Sequence, residues 1–131
     1  MKGLDTNVLV RYLTEDDPAQ ARRAAAFITT TVTRGERCFV SPVVLCELCW
    51  VLRAAYRVSK ADLLLTLDRI LSTAQFIVGD KDVVRAAVED YRAGQAEFAD
   101  YYIGLAHQDA GCDRTATFDR RLRDSRAFHV L

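Results

Sequence analysis

With 131 residues, 50% of them apolar and 27% charged, the chain has the size and composition of one globular domain, which excludes a fibre, a linker or a disordered tail. Lys+Arg and Asp+Glu cancel at 18 each, so net charge names no partner, although 15 of the 18 basic residues are Arg, whose planar fork suits phosphate. No apolar run has transmembrane length and no charged-then-apolar leader opens the chain, so a cytoplasmic location without stable disulfides is expected.

Met1 to Asp5 reads as a short buried strand, followed by a helix from about Thr6 to Leu13. Asp16-Asp17-Pro18 starts the next helix, with proline pre-set for the first turn and acids at the positive end of the dipole. That helix is expected to reach about Thr31, and residues 37–41 form a strand. Ser41-Pro42 opens a helix to about Tyr56, whose stretch from Val43 to Leu52 is apolar on every side except at Glu47. A helix apolar all round is expected to be buried. Ser59 caps a helix in which Leu63, Leu64, Leu67, Ile70 and Leu71 make a stripe that suits either core or a docking surface. Gln75 to Val78 reads as a strand, Asp80 to Arg92 as an amphipathic helix broken by Gly94, and Asp100 to about Ala110 as a helix stopped by Gly111. Residues 113–117 form a strand, 119–123 a short helical turn and 127–131 a last strand. Strands alternating with helices predict an α/β fold, one domain over residues 1–131 with a short, mainly parallel central sheet flanked by helices.

Four carboxylates stand out against this pattern: Asp5, Glu47, Asp100 and Asp119, each set in apolar or turn-like sequence. Burying an ionised carboxylate is costly unless a cation or strong donors compensate it. Four together would repel one another, and a hard divalent metal bound through oxygen relieves that repulsion. Asp5 falls at the carboxyl end of the first strand, where α/β sites form, and equally suits a helix cap beside Thr6 and Asn7. Asn7 would orient the acid and Thr6 would act as a backbone-facing cap. Glu47 has apolar neighbours on both sides, and its structural alternative is an ion pair with Arg53 or Arg85. Asp100 begins a helix, and Gly104, one turn later, is expected to leave open space above its carboxylate. Asp119 follows a strand on which Thr117 shares its face by period-two alternation. Arg114, Arg120, Arg121, Arg123 and Arg126 crowd the same C-terminal stretch, and the first three are candidate phosphate contacts. Cys46-x-x-Cys49 has the spacing of a redox or zinc half-motif, but it lies inside an apolar helix-like run with no second pair, so packing is its expected role.

Leu4-Asp5-Thr6-Asn7-Val8-Leu9, Glu47, Phe98-Ala99-Asp100 and Thr117-Phe118-Asp119-Arg120, in this order along the whole chain, resemble the PIN domain. More narrowly they resemble the VapC toxins of toxin–antitoxin pairs. The resemblance implies that Asp5, Glu47, Asp100 and Asp119 form an acidic pocket that is both catalytic and metal-binding, with Asn7 and Thr117 in support. It implies a ribonuclease using Mg²⁺ or Mn²⁺, a homodimer and a VapB-like antitoxin that fills the pocket. Two other classes compete. A non-catalytic PIN-like binding protein would keep the acids without cutting RNA. A phospho-accepting receiver module would need a late lysine near the acids, and the last lysine here is Lys81.

Overall fold

The computed structural model describes residues 1–131, a mixed α/β chain of six helices and five short strands. The chain forms two compact units, Met1–Gly79 and Asp80–Leu131. No helix is long and apolar enough to cross a membrane.

The first unit runs β1 (Lys2–Gly3), α1 (Thr6–Leu13), α2 (Pro18–Thr33), β2 (Cys38–Val40), α3 (Pro42–Ala54), α4 (Lys60–Ser72) and β3 (Phe76–Val78). Its helices start where short polar side chains satisfy the free amides of the first turn. Asp17 accepts from the Gln20 amide at 3.0 Å, Ser41 from Val44 at 3.3 Å and Ser59 from Asp62 at 3.1 Å. Gly35, at φ +78°, supplies the left-handed turn after α2. The three strands pair in the order β1-β2-β3, both ladders parallel, with Lys2 opposite Cys38 and Val40 opposite Val78. Leu9, Cys38, Val40, Leu45, Leu48, Leu63 and Leu67 are buried in this unit. Truncating any one of these leucines to alanine would cost about 2–5 kcal/mol. The stripe on α4 is therefore core: Leu63, Leu64, Leu67, Ile70 and Leu71 are all buried.

Two expectations are corrected here. The first strand is not buried. It is two residues long, exposed, and at the edge of its sheet, with Leu4 the first buried position. Nor is α3 buried all round: Leu45, Leu48, Cys49 and Leu52 face inward, while Val43 is 64% and Trp50 71% exposed. Apolar composition does not force burial where a helix has packing partners on one side only.

The second unit runs α5 (Lys81–Ala93), α6 (Phe98–Asp109), β4 (Thr115–Thr117), a 3₁₀ turn (Arg120–Leu122) and β5 (Phe128–Val130). β4 and β5 pair in parallel, Thr115 opposite Phe128. Every ladder in the chain is parallel as expected, but the strands divide between a three-stranded and a two-stranded sheet instead of forming one. α5 packs on α6, where the buried rings of Tyr91 and Phe98 meet edge to face at 6.4 Å. Gly94 ends α5 because Tyr101 needs the room: a Cβ there would overlap the Tyr101 hydroxyl. That hydroxyl accepts from the Ala96 amide at 3.1 Å and fixes the loop into α6.

Candidate metal centre

In a parallel sheet, the carboxyl ends of the strands share an edge, and the helices between strands run back from it. Asp5 lies two residues beyond β1, and α3 begins directly after its neighbour β2, so both leave the same edge of the first sheet. Asp5 is the N-cap of α1, its carboxylate accepting from the Thr6 amide at 2.8 Å. It is exposed and lines a cavity of about 580 Å³ with Asn7, Val8, Arg11, Gln20, Arg23 and Phe27. Arg11 is held away from the acid: it donates to Gln20 at 2.7 Å, and to Asp16 and the Tyr56 hydroxyl at 3.2 Å each. Tyr56 in turn donates to Asp16 at 2.7 Å, and this hydrogen bond keeps Asp16 below the ordinary carboxylate range. Thr6 does not cap the backbone as expected. Its amide serves Asp5, while its hydroxyl is buried with no hydrogen-bond partner.

Glu47 is the clearest correction to the sequence reading. It is exposed, one helical turn after the exposed Val43, and no hydrogen bond or ion pair reaches it, so the Arg53 or Arg85 pairing is not formed. Its neighbours in sequence are apolar because α3 must bury the opposite face.

The second unit brings its acids together. Asp100 lies in the first turn of α6 and Asp119 two residues beyond β4, and both carboxylates pair with the Arg121 guanidinium. Asp100 occupies the third helical position of α6, where its carboxylate accepts from the Glu97 amide at 3.0 Å, and Glu97 and Asp100 form a capping box. Asp119 caps the 3₁₀ turn, accepting from the Arg121 amide at 2.9 Å, and its own amide donates to Thr117 Oγ1 at 3.1 Å. Thr117 thus supports Asp119 through the backbone. The Arg121 guanidinium forks onto Asp119: Nη2 donates to Oδ2 at 2.8 Å, and Nε lies 3.1 Å from both carboxylate oxygens. The same guanidinium is 3.8 Å from Asp100 and 3.6 Å from Glu97. These hydrogen bonds from Arg121 hold the Asp119 carboxyl below its usual range.

Arg121, itself exposed, is therefore committed to carboxylates, whereas the exposed Arg114 has no ion pair. Arg120 is exposed too, and its carbonyl accepts from Arg123 at 3.1 Å. Gly104 does not open space above Asp100. A Cβ there would overlap the Phe128 ring at 2.5 Å, so the glycine admits Phe128 against α6. Cys46 and Cys49 are unoxidised on α3, and in neither unit do three His, Cys, Asp or Glu side chains group as ready metal ligands. Reading the sequence alone misses Glu97 and the α1–α2 side chains Arg11, Gln20 and Arg23. The Glu97-x-x-Asp100 spacing signals the first, and the helical step from Asn7 to Arg11 the second.

A family model described as PIN domain matches residues 3–127. The chain is also similar to the VapC ribonuclease of Aquifex aeolicus (strain VF5), with 28% identity over 123 residues, covering 94% of this chain and 90% of that protein.

Proposed function

Because the chain belongs to the PIN-domain family, we propose that it is a metal-dependent endoribonuclease, the toxin of a VapBC-type pair, acting as one nuclease domain over residues 1–131. Family membership displaces the receiver-like alternative. The observation that carries the proposal is the gathering of Asp100 and Asp119 on a single cation at the end of β4.

Asp5, Glu47, Asp100 and Asp119 would hold Mg²⁺ or Mn²⁺. The donors are carboxylate oxygens throughout, which suits a hard cation and not zinc. The buried, unpartnered hydroxyl of Thr6 beside Asp5 is a further oxygen left for a polar ligand. The bound ion supplies Lewis acidity toward phosphate oxygen and toward water. The protein's own part is to aim oxygen ligands. Helix capping fixes Asp5 and Asp100, and Thr117 fixes the backbone of Asp119. Asn7 faces the cavity of Asp5 and orients polar groups there.

RNA is the substrate. Arg23, in the same cavity as Asp5, and the exposed Arg114 and Arg120 are the phosphate contacts. Phe118, 82% exposed beside Asp119, offers a face on which an unpaired base can stack. The partner is a VapB-like antitoxin, and the protein acts as a homodimer in the cytoplasm. The exposed Val43 and Trp50 on α3 support a macromolecular contact there.

The test is cleavage of a mixed cellular RNA pool with Mg²⁺, with Mn²⁺ and with chelator. Metal-dependent discrete products, absent from folded Asp5→Asn and Asp100→Asn, are expected. Metal binding without products would support the non-catalytic PIN-like reading, and absence of metal binding would sink the acidic-site reading itself.

A further inference from the structure

Resting on that reading, we infer that Arg121 is a resident counter-cation of the acidic site: it positions Asp119 and Asp100 before metal arrives and must yield their oxygens for metal to bind. The geometry is specific. Asp119 spends both carboxylate oxygens on this one side chain, Oδ2 at 2.8 Å from Nη2 and Oδ1 at 3.1 Å from Nε, and Oδ1 also takes the Arg121 amide at 2.9 Å. Asp100 Oδ2 and Glu97 Oε1 stand 3.8 Å and 3.6 Å from its two terminal nitrogens. Three carboxylates thus share one guanidinium. No other arginine or lysine has an ion pair with Asp100 or Asp119.

A planar fork and a hard divalent ion want the same lone pairs. Arginine satisfies carboxylate oxygens by parallel N–H donation, whereas Mg²⁺ and Mn²⁺ take them as direct or water-bridged ligands. Both cannot be met at Asp119 Oδ2. The arginine also places a full positive charge where a second cation would arrive. Its role without metal is to prevent mutual repulsion from splaying the acids. Its role toward metal is to set a threshold, so that affinity is lower than the carboxylates alone would give. Arg121 is a positioning residue in this scheme and touches neither substrate nor reacting atoms.

The experiment is Mn²⁺ binding to chelator-cleared protein, followed by the free-ion electron paramagnetic resonance signal, for wild type, Arg121→Gln, Arg121→Lys and the double variant Arg121→Gln/Asp119→Asn. Folding of each is verified by circular dichroism melting. Removing a charge at this range is expected to tighten Mn²⁺ binding by about tenfold in Arg121→Gln. Arg121→Lys, which restores charge, should return affinity most of the way to wild type. The double variant should lose the gain, because the released ligand is gone. Folded Arg121→Gln that binds Mn²⁺ no more tightly than wild type overturns the inference while leaving the metal site standing. If neither protein binds Mn²⁺, the metal reading fails and the inference falls with it.

Discussion

In the first unit Asp5 and Glu47 meet no cation. One is satisfied by a backbone amide and both are exposed. In the second unit Asp100, Asp119 and Glu97 are half-buried and drawn onto Arg121. Isolated carboxylates in water need no counter-charge, because solvent screens them. Carboxylates that crowd one point do need it, and the chain supplies a guanidinium. Under the proposed reading, Asp100 and Asp119 would have to release a guanidinium before taking a metal ion, whereas Asp5 and Glu47 have no cation to release.

The largest expected effect tests whether both halves are needed. Asp5→Asn and Asp100→Asn should each reduce metal-dependent RNA cleavage by about a hundredfold or more, beyond the ten- to hundredfold cost of losing an outer partner of a metal site. Product formation by purified, folded variants measures it. If Asp5→Asn cleaves normally while Asp100→Asn does not, the site belongs to the second unit alone.

The next effects concern how the second unit keeps its acids in register. Gly94→Ala puts a methyl onto the Tyr101 hydroxyl and breaks its bond from Ala96, just before the capping box of Glu97 and Asp100. Overpacking together with a lost buried hydrogen bond should cost about 2–3 kcal/mol in urea unfolding. Gly104→Ala presses on Phe128 but gains helix propensity of about 1 kcal/mol, so a net loss of about 1 kcal/mol is expected, a few degrees in Tm. Equal effects at the two glycines would show that the loop into α6 is not held by Tyr101.

Much of this was readable from sequence because its signals are local. Asp17-Pro18, Ser41-Pro42 and Ser59 mark helix starts that the structure realises to the residue. The strand at Thr115–Thr117 and the turn after Asp119 follow from period-two alternation and a short polar cap. Exposure of Glu47 was not legible, because an apolar helix does not announce how many sides will be covered. Nor was the reason for Gly104, since its contact is with Phe128, far along the chain. The pairing of Arg121 with Asp119 needs only two residues of separation, yet five arginines in that stretch offered no way to single one out.

The smallest effect is also the most direct probe of the contrast between the halves. Asp119 has its carboxyl pKa lowered, first by the side-chain hydrogen bond from Arg121 and next by the Arg121 amide. A depressed carboxyl contributes stability that is fully present above its unfolded value, about 3.9 for aspartate, and that is lost as pH falls through the folded value. Acidification below about pH 4 should therefore weaken wild type by a small amount, of which Arg121→Gln should show only the part carried by the backbone amide bond. Carboxyl carbon chemical shifts titrated in metal-free protein would follow Asp119 itself. Its midpoint should rise toward the ordinary aspartate value in Arg121→Gln, but only part of the way, because the backbone amide bond remains. A midpoint that does not move would mean that the fork on Asp119 is not formed in solution. The second unit would then stand no differently from the first.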